Sequence, residues 1–304
     1  MFDQLPQQLI NGISLGSIYA LIALGYTMVY GVLRFINFAH GDIFMVGAYA
    51  GFFLVPVFAP LLAAQPILGG AMVVIISMLL CATLGMVIER LAYRPLRSRP
   101  KLTVLITAIG VSLFLEFTGQ LPFIFGPTPR TFPDLVPDSA VYHVAGMVIS
   151  SAQIMVLVGS LVLMVLLRLV VQYTRIGTAM RAVSQNQTAA SLMGVNLDRV
   201  ISFTFALGSA LAAAAGIMYA SMYPKIDPLM GILPGLKAFV AAVVGGIGNI
   251  PGALVGGLII GVVETLTTAY LSSTYRDAIV FGILIGILVF RPSGIFGKSV
   301  AEKV

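Results

Sequence analysis

Nine apolar runs, most of them close to 20 residues long, leave this chain few folds to choose from. They cover residues 9–33, 36–62, 67–88, 102–125, 144–171, 200–223, 236–247, 253–271 and 278–290. About 20 apolar residues cross a bilayer as a helix. The 304 residues therefore supply eight or nine transmembrane or re-entrant helices and no room for a separate soluble domain. The expected fold class is an all-α polytopic membrane bundle, one transmembrane domain over residues 1–304. Composition agrees: 59% of residues are hydrophobic and 9% charged, against about 25% charged in soluble domains. A soluble enzyme, a disordered chain and a nucleic-acid-binding domain are excluded on those figures. Cys81 is the single cysteine, so no disulfide forms within the chain. The N-terminus MFDQLPQQ has no basic n-region, and the expectation is that no signal peptide is cleaved.

The run at 236–247 is too short to cross about 30 Å at 1.5 Å per residue. It reads as a re-entrant half-helix or as a short span extended through the Gly-rich segment. Alternating the runs across the membrane leaves Arg130, Lys225, Lys237 and Arg276 on one side and the rest of the 17 Lys and Arg on the other. Basic loops stay in the cytoplasm. The expected topology has the N-terminus outside and the C-terminus inside. With no Trp in the chain, Tyr must supply the interfacial belt. Tyr30, Tyr93 and Tyr173 fall at inner ends, and Tyr142, Tyr223, Tyr270 and Tyr275 at outer ends. Small residues recur at spacing four, as in Gly12 and Gly16, Gly252 and Gly256, and Gly257 and Gly261. Such faces let helix backbones approach closely in lipid.

No Walker A motif, H-E-x-x-H or G-x-S-x-G occurs, and GGIGNIPG lacks the Lys-Ser/Thr of a phosphate loop. No catalytic residue, metal site or cofactor is expected. Three polar features remain. The segment INFAHGD (36–42) places Asn37, His40, Gly41 and Asp42 among apolar neighbours, either lining a gate or opening a broken helix, or with Asn37 as a simple N-cap. The segment 172–199 carries helix-forming residues over 178–193, with Gly194 as C-cap and Asn196 capping the next helix. Its amphipathic character suits docking of a partner or lying along the interface. Glu116 and Glu264 lie deep in apolar runs. Each is functional, or paired between helices, or neutral through desolvation.

Five segments together resemble the permease subunits of branched-chain amino acid ABC importers, in their shorter, first-permease form. They are NGISLGSIYALIALGYTMVYG (11–31), INFAHGD, ERLAYRPLR (89–97), RIGTAMRAVSQNQTAASLMGVNLDRV (175–200) and GLKAFVAAVVGGIGNIPGALVGGLIIGVVE (235–264). The resemblance covers essentially the whole chain. It implies a bacterial cytoplasmic (inner) membrane assembly with four kinds of partner: membrane lipid, a second related permease, two cytoplasmic ABC ATPases, and a periplasmic or lipid-anchored substrate-binding protein. ATP hydrolysis belongs to those separate chains. Residues 175–199 match the family's cytoplasmic coupling loop, with Arg181, Ala182, Gln185, Asn186, Ala189, Ala190, Leu192, Gly194, Val195 and Asn196 as its contacts. Asn37, His40, Gly41, Asp42, Gly245, Gly246, Asn249 and Glu264 are the pathway or gate candidates. Permeases for urea or short amides resemble the chain in the same motifs; the length, without an N-terminal extension, favours the amino acid form. A stand-alone channel or ion-coupled carrier is the rival from another class.

Overall fold

The computed structural model describes residues 4–97, 99–135, 141–144 and 147–297. Lys298, Lys303 and part of the Pro-rich loop before His143 lie outside the described residues. The helices are α1 (Leu5–Leu33), α2 (His40–Val57), α3 (Ala59–Ala64), α4 (Pro66–Ile88), α5 (Lys101–Gly119), α6 (Ser151–Tyr173), α7 (Arg175–Gln185), α8 (Gln187–Leu192), α9 (Leu197–Met222), α10 (Ile232–Gly245), α11 (Ile250–Tyr270) and α12 (Arg276–Phe290). Seven of these, α1, α2, α4, α5, α6, α9 and α11, are long and apolar enough to cross a membrane. The chain is an all-α multi-pass membrane protein. Short strands decorate one end: β1 (Arg130–Thr131) pairs antiparallel with β4 (Lys225–Ile226), and β2 (Val141–Val144) with β3 (Met147–Ser150).

Helix starts are fixed by short polar side chains that satisfy otherwise free N–H groups. Ser150 and Gln153 form a reciprocal capping box at α6. Thr174, Asn186, Asn196 and Asn249 cap α7, α8, α9 and α11 through their side-chain oxygens.

The core is built on α1, whose apolar stretch is almost wholly buried by its neighbours. It packs along α11 through glycine. A Cβ on Gly261 would lie 2.2 Å from Gly16 Cα, one on Gly257 2.5 Å from Ala20 Cα, and one on Gly12 2.8 Å from Val262 Cα. The α2–α9 contact is of the same kind: a Cβ on Gly47 would lie 2.3 Å from Ala213 Cα, and one on Gly216 2.1 Å from the Phe44 carbonyl. By contrast, α4, α5, α6 and α12 turn large apolar faces outward.

Several elements differ from the sequence reading. The run 36–62 is not one helix: α2 ends at Val57 and α3 begins at Ala59, with Pro60 in its first turn. The run 144–171 opens as the strand hairpin before α6 starts. The helix expected over 178–193 is two, because Asn186 adopts an extended backbone (φ −153°, ψ 108°), ends α7 and caps α8. Tyr93 is no belt residue. It is fully buried, edge-on to Phe35 and tilted against Phe205.

Gly261→Leu is expected to abolish the folded yield, because the side chain meets backbone atoms that cannot yield, and overpacking typically costs about 1–3 kcal/mol or more. Gly282, whose Cβ would meet nothing within 4 Å, is the control: Gly282→Ala should leave thermal stability in detergent unchanged. Equal melting of the two variants would refute the glycine-packed core.

Candidate functional site

Polar side chains gather at three depths in an otherwise apolar bundle. The end of the bundle carrying the start of α1 and the ends of α9 and α11 holds a vestibule of about 770 Å³. Its apolar lining comes from Leu15, Phe132, Leu135, Met155 and Met222. Polar and charged lining comes from Gln8, Asn11, Gln153, Thr268, Asp134, Glu264 and Arg276. Gln153 donates to Asn11 Oδ1 at 2.7 Å, which ties α6 to α1 across the rim.

Glu264 is buried and its charge is matched. Tyr19 donates to Oε2 at 2.8 Å, and Lys237 Nζ donates to Oε1 at 2.5 Å. Lys237 also meets Asp277 Oδ1 at 2.7 Å. One cluster therefore joins α1, α10, α11 and α12. A buried cation in lipid must be paired, and here both acids are supplied by neighbouring helices. Counting charges along the sequence put Lys237 on a loop side. Its position inside an apolar run was the signal of its burial, and its partner about four turns into α11 was not visible. At the mouth, Tyr223 feels both charges: partial burial pushes its phenol above the usual range, Glu264 adds to that, and Arg276 opposes it.

The second site lies at mid-depth. α2 begins at His40, whose ring stands edge-on to Tyr26 at 4.7 Å. A Cβ on Gly25 would lie 2.3 Å from His40 Nε2, and one on Gly208 3.7 Å from His40 Cε1. Gly208 is about 16 Å along α9 at 1.5 Å per residue, so α2 starts near the middle of the bundle. The residues before it climb inward from the end of α1. Broken backbone at that depth is tolerated because protein surrounds it. Asn37 is not an N-cap. Ala39 holds that position, without a side-chain bond, and Asn37 Oδ1 accepts from Tyr93 Oη at 2.6 Å instead. The start of α10 abuts the start of α2 through three glycines. A Cβ on Gly41 would lie 2.7 Å from the Gly231 carbonyl, and one on Gly235 2.9 Å from Gly41 Cα. Beside this contact is a cavity of about 100 Å³ containing Tyr26, Asp42, Ser112 and Glu116. Ser112 donates to Asp42 Oδ2 at 2.5 Å. Asp42 sits in the first turn of α2, where the helix dipole favours an anion.

Gly245, Gly246 and Asn249 lie elsewhere, at the corner joining α10 to α11. Gly246 has φ +103°, and its Cβ would lie 2.7 Å from the Gly297 nitrogen. Asn249 caps α11 and donates to the Phe296 carbonyl at 2.8 Å. The backbones of Ile295 and Phe296 bond to Val244 and Gly245. This corner clamps the tail.

The third site is at the basic end. α4 ends in a π-turn over Glu89–Tyr93, a distortion frequent at functional positions. Glu89 is fully buried; it accepts from Arg97 and from Ser202 Oγ at 2.5 Å. Arg97 Nη1 also holds Asp198 Oδ1 at 2.8 Å, and Arg94 pairs with Asp198 too. Burial pulls the Arg97 guanidinium below its usual range, and Asp198 opposes that shift. Beside this clamp stand α7 and α8. Gln187 Nε2 donates to the Val32 carbonyl at 2.6 Å, and Arg34 reaches the Gln185 carbonyl at 3.4 Å, so the α7–α8 corner sits on the last turn of α1. Arg181 donates to the Gln172 carbonyl at 3.2 Å. Arg181, Gln185, Asn186, Ala189, Leu192, Gly194 and Asn196 face outward; Ala182 and Val195 are half-buried, and Ala190 is buried. Leu192 and Met193 are 82% and 85% exposed. Sequence reasoning missed Tyr19, Glu89, Arg97 and Ser112, because each acts through a partner distant in the chain. Among the described residues no three His, Cys, Asp or Glu side chains are arranged to hold a metal.

Lys237→Met, which strands Glu264, is expected to destabilise the bundle by about 3–5 kcal/mol. Pairing it with Glu264→Gln should recover most of that loss. Unfolding in mixed micelles measures both, and equal destabilisation by the single and double variants would refute the pairing.

Comparison with known proteins gives this architecture a context. Residues 8–288 match a family model described as the permease component of the branched-chain amino acid transport system. The high-affinity branched-chain amino acid transport system permease protein LivH of Salmonella typhimurium is 41% identical over 311 residues, covering 98% of this chain and 97% of the relative. BraD of Pseudomonas aeruginosa, which carries the same description, is 42% identical over 302 residues, covering 98% and 97%. A probable LivH of Methanocaldococcus jannaschii is 32% identical over 207 residues, 66% of this chain. No solved structure matches the chain. With the match running from the first turn of α1 almost to the end of α12, the chain belongs to the family of branched-chain amino acid transport permease components.

Proposed function

We propose that this chain is the membrane-spanning permease subunit of an ATP-driven importer for leucine, isoleucine and valine. The observation that carries the reading is the match over nearly the full length to permeases named for that transport system. In this reading the protein sits in the bacterial cytoplasmic membrane with its basic end, and so its C-terminus, in the cytoplasm. A second, related permease completes the pathway, two ABC ATPases bind the basic end, and an extracytoplasmic binding protein delivers the amino acid.

Residues 175–199 serve as the coupling loop. The support is physical. The α7–α8 corner offers the protruding Leu192 and Met193 to a partner, while Gln187 and Arg181 anchor its back to α1 and α6. A load placed on α8 travels through Asn196 into α9. From Asp198 it passes to Arg97, Glu89 and the π-turn. Tyr93 then hands it to Asn37, just before the mid-membrane start of α2. ATP-driven closure of the ATPases thereby rocks α2 and α9 against the rest, which is the motion alternating access needs.

The test is ATP-dependent uptake of labelled leucine by proteoliposomes holding both permeases, the ATPases and the binding protein. No uptake by the complete assembly would sink the reading. Within it, Gly194→Pro is the sharp variant. Gly194 has φ +83°, and Pro is locked near −65°. The α8–α9 joint must therefore shift while the spans stay intact. The expected result is normal insertion and assembly, continued ATP hydrolysis, and uptake reduced about tenfold or more, a loss of about 1.4 kcal/mol in coupling. Normal uptake would displace the coupling loop from this segment.

A further inference from the structure

The vestibule at the end opposite the coupling loop is more than an entrance. It is amphipathic in the way an aliphatic amino acid is. Its lining combines apolar side chains, Leu15, Phe132, Met155 and Met222, with the charged Asp134, Glu264 and Arg276. Its volume of about 770 Å³ falls within the range of roughly 300–1,000 Å³ typical of small-molecule sites.

The charges are arranged to receive a second pair. Glu264 is buried, and each of its oxygens accepts one bond, from Tyr19 and from Lys237. An ionised carboxylate has about four acceptor positions, so Glu264 keeps capacity facing the cavity. Arg276 meets Asp277 only through Nε, at 3.5 Å. Its terminal nitrogens have no protein partner among the described residues, and a guanidinium takes a carboxylate through two parallel bonds. The cluster Lys237, Arg276, Glu264 and Asp277 is neutral overall, and Asp134 adds a further carboxylate to the lining that suits an ammonium group.

We infer that this vestibule is a low-affinity binding site, within this one chain, for the zwitterion of an aliphatic α-amino acid. Arg276 takes the α-carboxylate, Glu264 takes the α-ammonium, and the apolar lining residues Leu15, Met155 and Met222 take the side chain. The inference rests on the importer reading for the identity of the ligand and for the vestibule facing outward. It goes beyond that reading in giving the permease a recognition site of its own, additional to that of the binding protein.

The experiment uses cysteine labelling on the assembled transporter in proteoliposomes without binding protein. Cys81 is buried, so a cysteine introduced by Ala269→Cys, on the exposed lining of the vestibule, is the reporter on this chain, and labelling is read on its own electrophoretic band. Thr268→Cys, also exposed and lining, replaces it if that variant fails to assemble. A membrane-impermeant maleimide is added outside. L-Leucine should slow labelling about fivefold at about four times its dissociation constant, as simple occupancy requires. 4-Methylpentanoate, lacking the ammonium, and 3-methylbutylamine, lacking the carboxylate, should not protect. Arg276→Gln should remove protection by leucine, read as the ratio of that variant's labelling rates without and with leucine.

No labelling from outside, or labelling that leucine does not slow, overturns the inference. So does protection equal for leucine and for its two truncated analogues. Uptake measured in parallel on the complete assembly separates the two readings. Uptake without protection removes the vestibule site and leaves the importer. Protection without ATP-driven uptake keeps the site and removes the importer.

Discussion

Backbone-to-backbone contact between α1 and α11 is the constraint on which the rest of this bundle depends. Lipid gives helices no hydrophobic reason to associate, so dispersion between closely apposed backbones must do it. Gly12, Gly16, Gly257 and Gly261 bring the two axes so near that even a methyl group would strike main-chain atoms. With α1 fixed this way, its other faces are free to receive α9 and α10, and its last turn becomes the seat of the α7–α8 corner. The outer helices α4, α5, α6 and α12 then present large apolar faces outward. Their hydrophobicity reflects that exposure and would be misread as a core.

Close packing by glycine has a cost in specificity, since glycine faces slide easily over one another. The polar contacts supply register. Tyr19 and Lys237 converge on Glu264 to fix α1, α10 and α11 in rotation as well as distance. At the other end Glu89 does the same for α4 and α9 through Arg97 and Ser202. A buried ion pair earns little net stability, but a helix rotated by one residue would strand a charge in an apolar bundle. That penalty falls on wrong arrangements and leaves the right one untouched.

Much of this was legible in the chain and some was not, for physical reasons. Apolar run length gave the spans, because a bilayer has one thickness. The small-residue spacing gave the close faces, and Gly194 and Asn196 were visible as helix punctuation, while Asn249, read as a pathway candidate, is the cap of α11. The split at Asn186 was hidden because the same composition suits one helix or two, and only the extended backbone at Asn186 decides. The broken start of α2 was one of the readings open for INFAHGD, beside a gate lining and an ordinary interfacial cap, and nothing in the segment chose among them. Nothing local says that Asn37 has given its oxygen to Tyr93, 56 residues away. Lys237 was counted with the loops, since charge counting treats every basic residue as solvated. Pairing between distant helices is a property of the fold and leaves no trace in spacing.

The three polar sites also differ in what they permit. Hydrogen bonds between helices in a membrane contribute only about 0.6–2 kcal/mol each, so none of the sites is a rivet. The mid-depth contact is the weakest mechanically: two helix starts meet at Gly41, Gly231 and Gly235, with no side chain between them and a small cavity alongside. The ends are held more firmly, by ion pairs that each join several elements. Asp198, Arg97 and Glu89 form a continuous run of charged contacts up to the π-turn that carries Tyr93, whereas α2 and α10 meet at their starts through glycine. The vestibule opens at the far end, beyond that joint. The arrangement therefore places the ion-paired contacts toward the two ends of the bundle and the glycine joint between them.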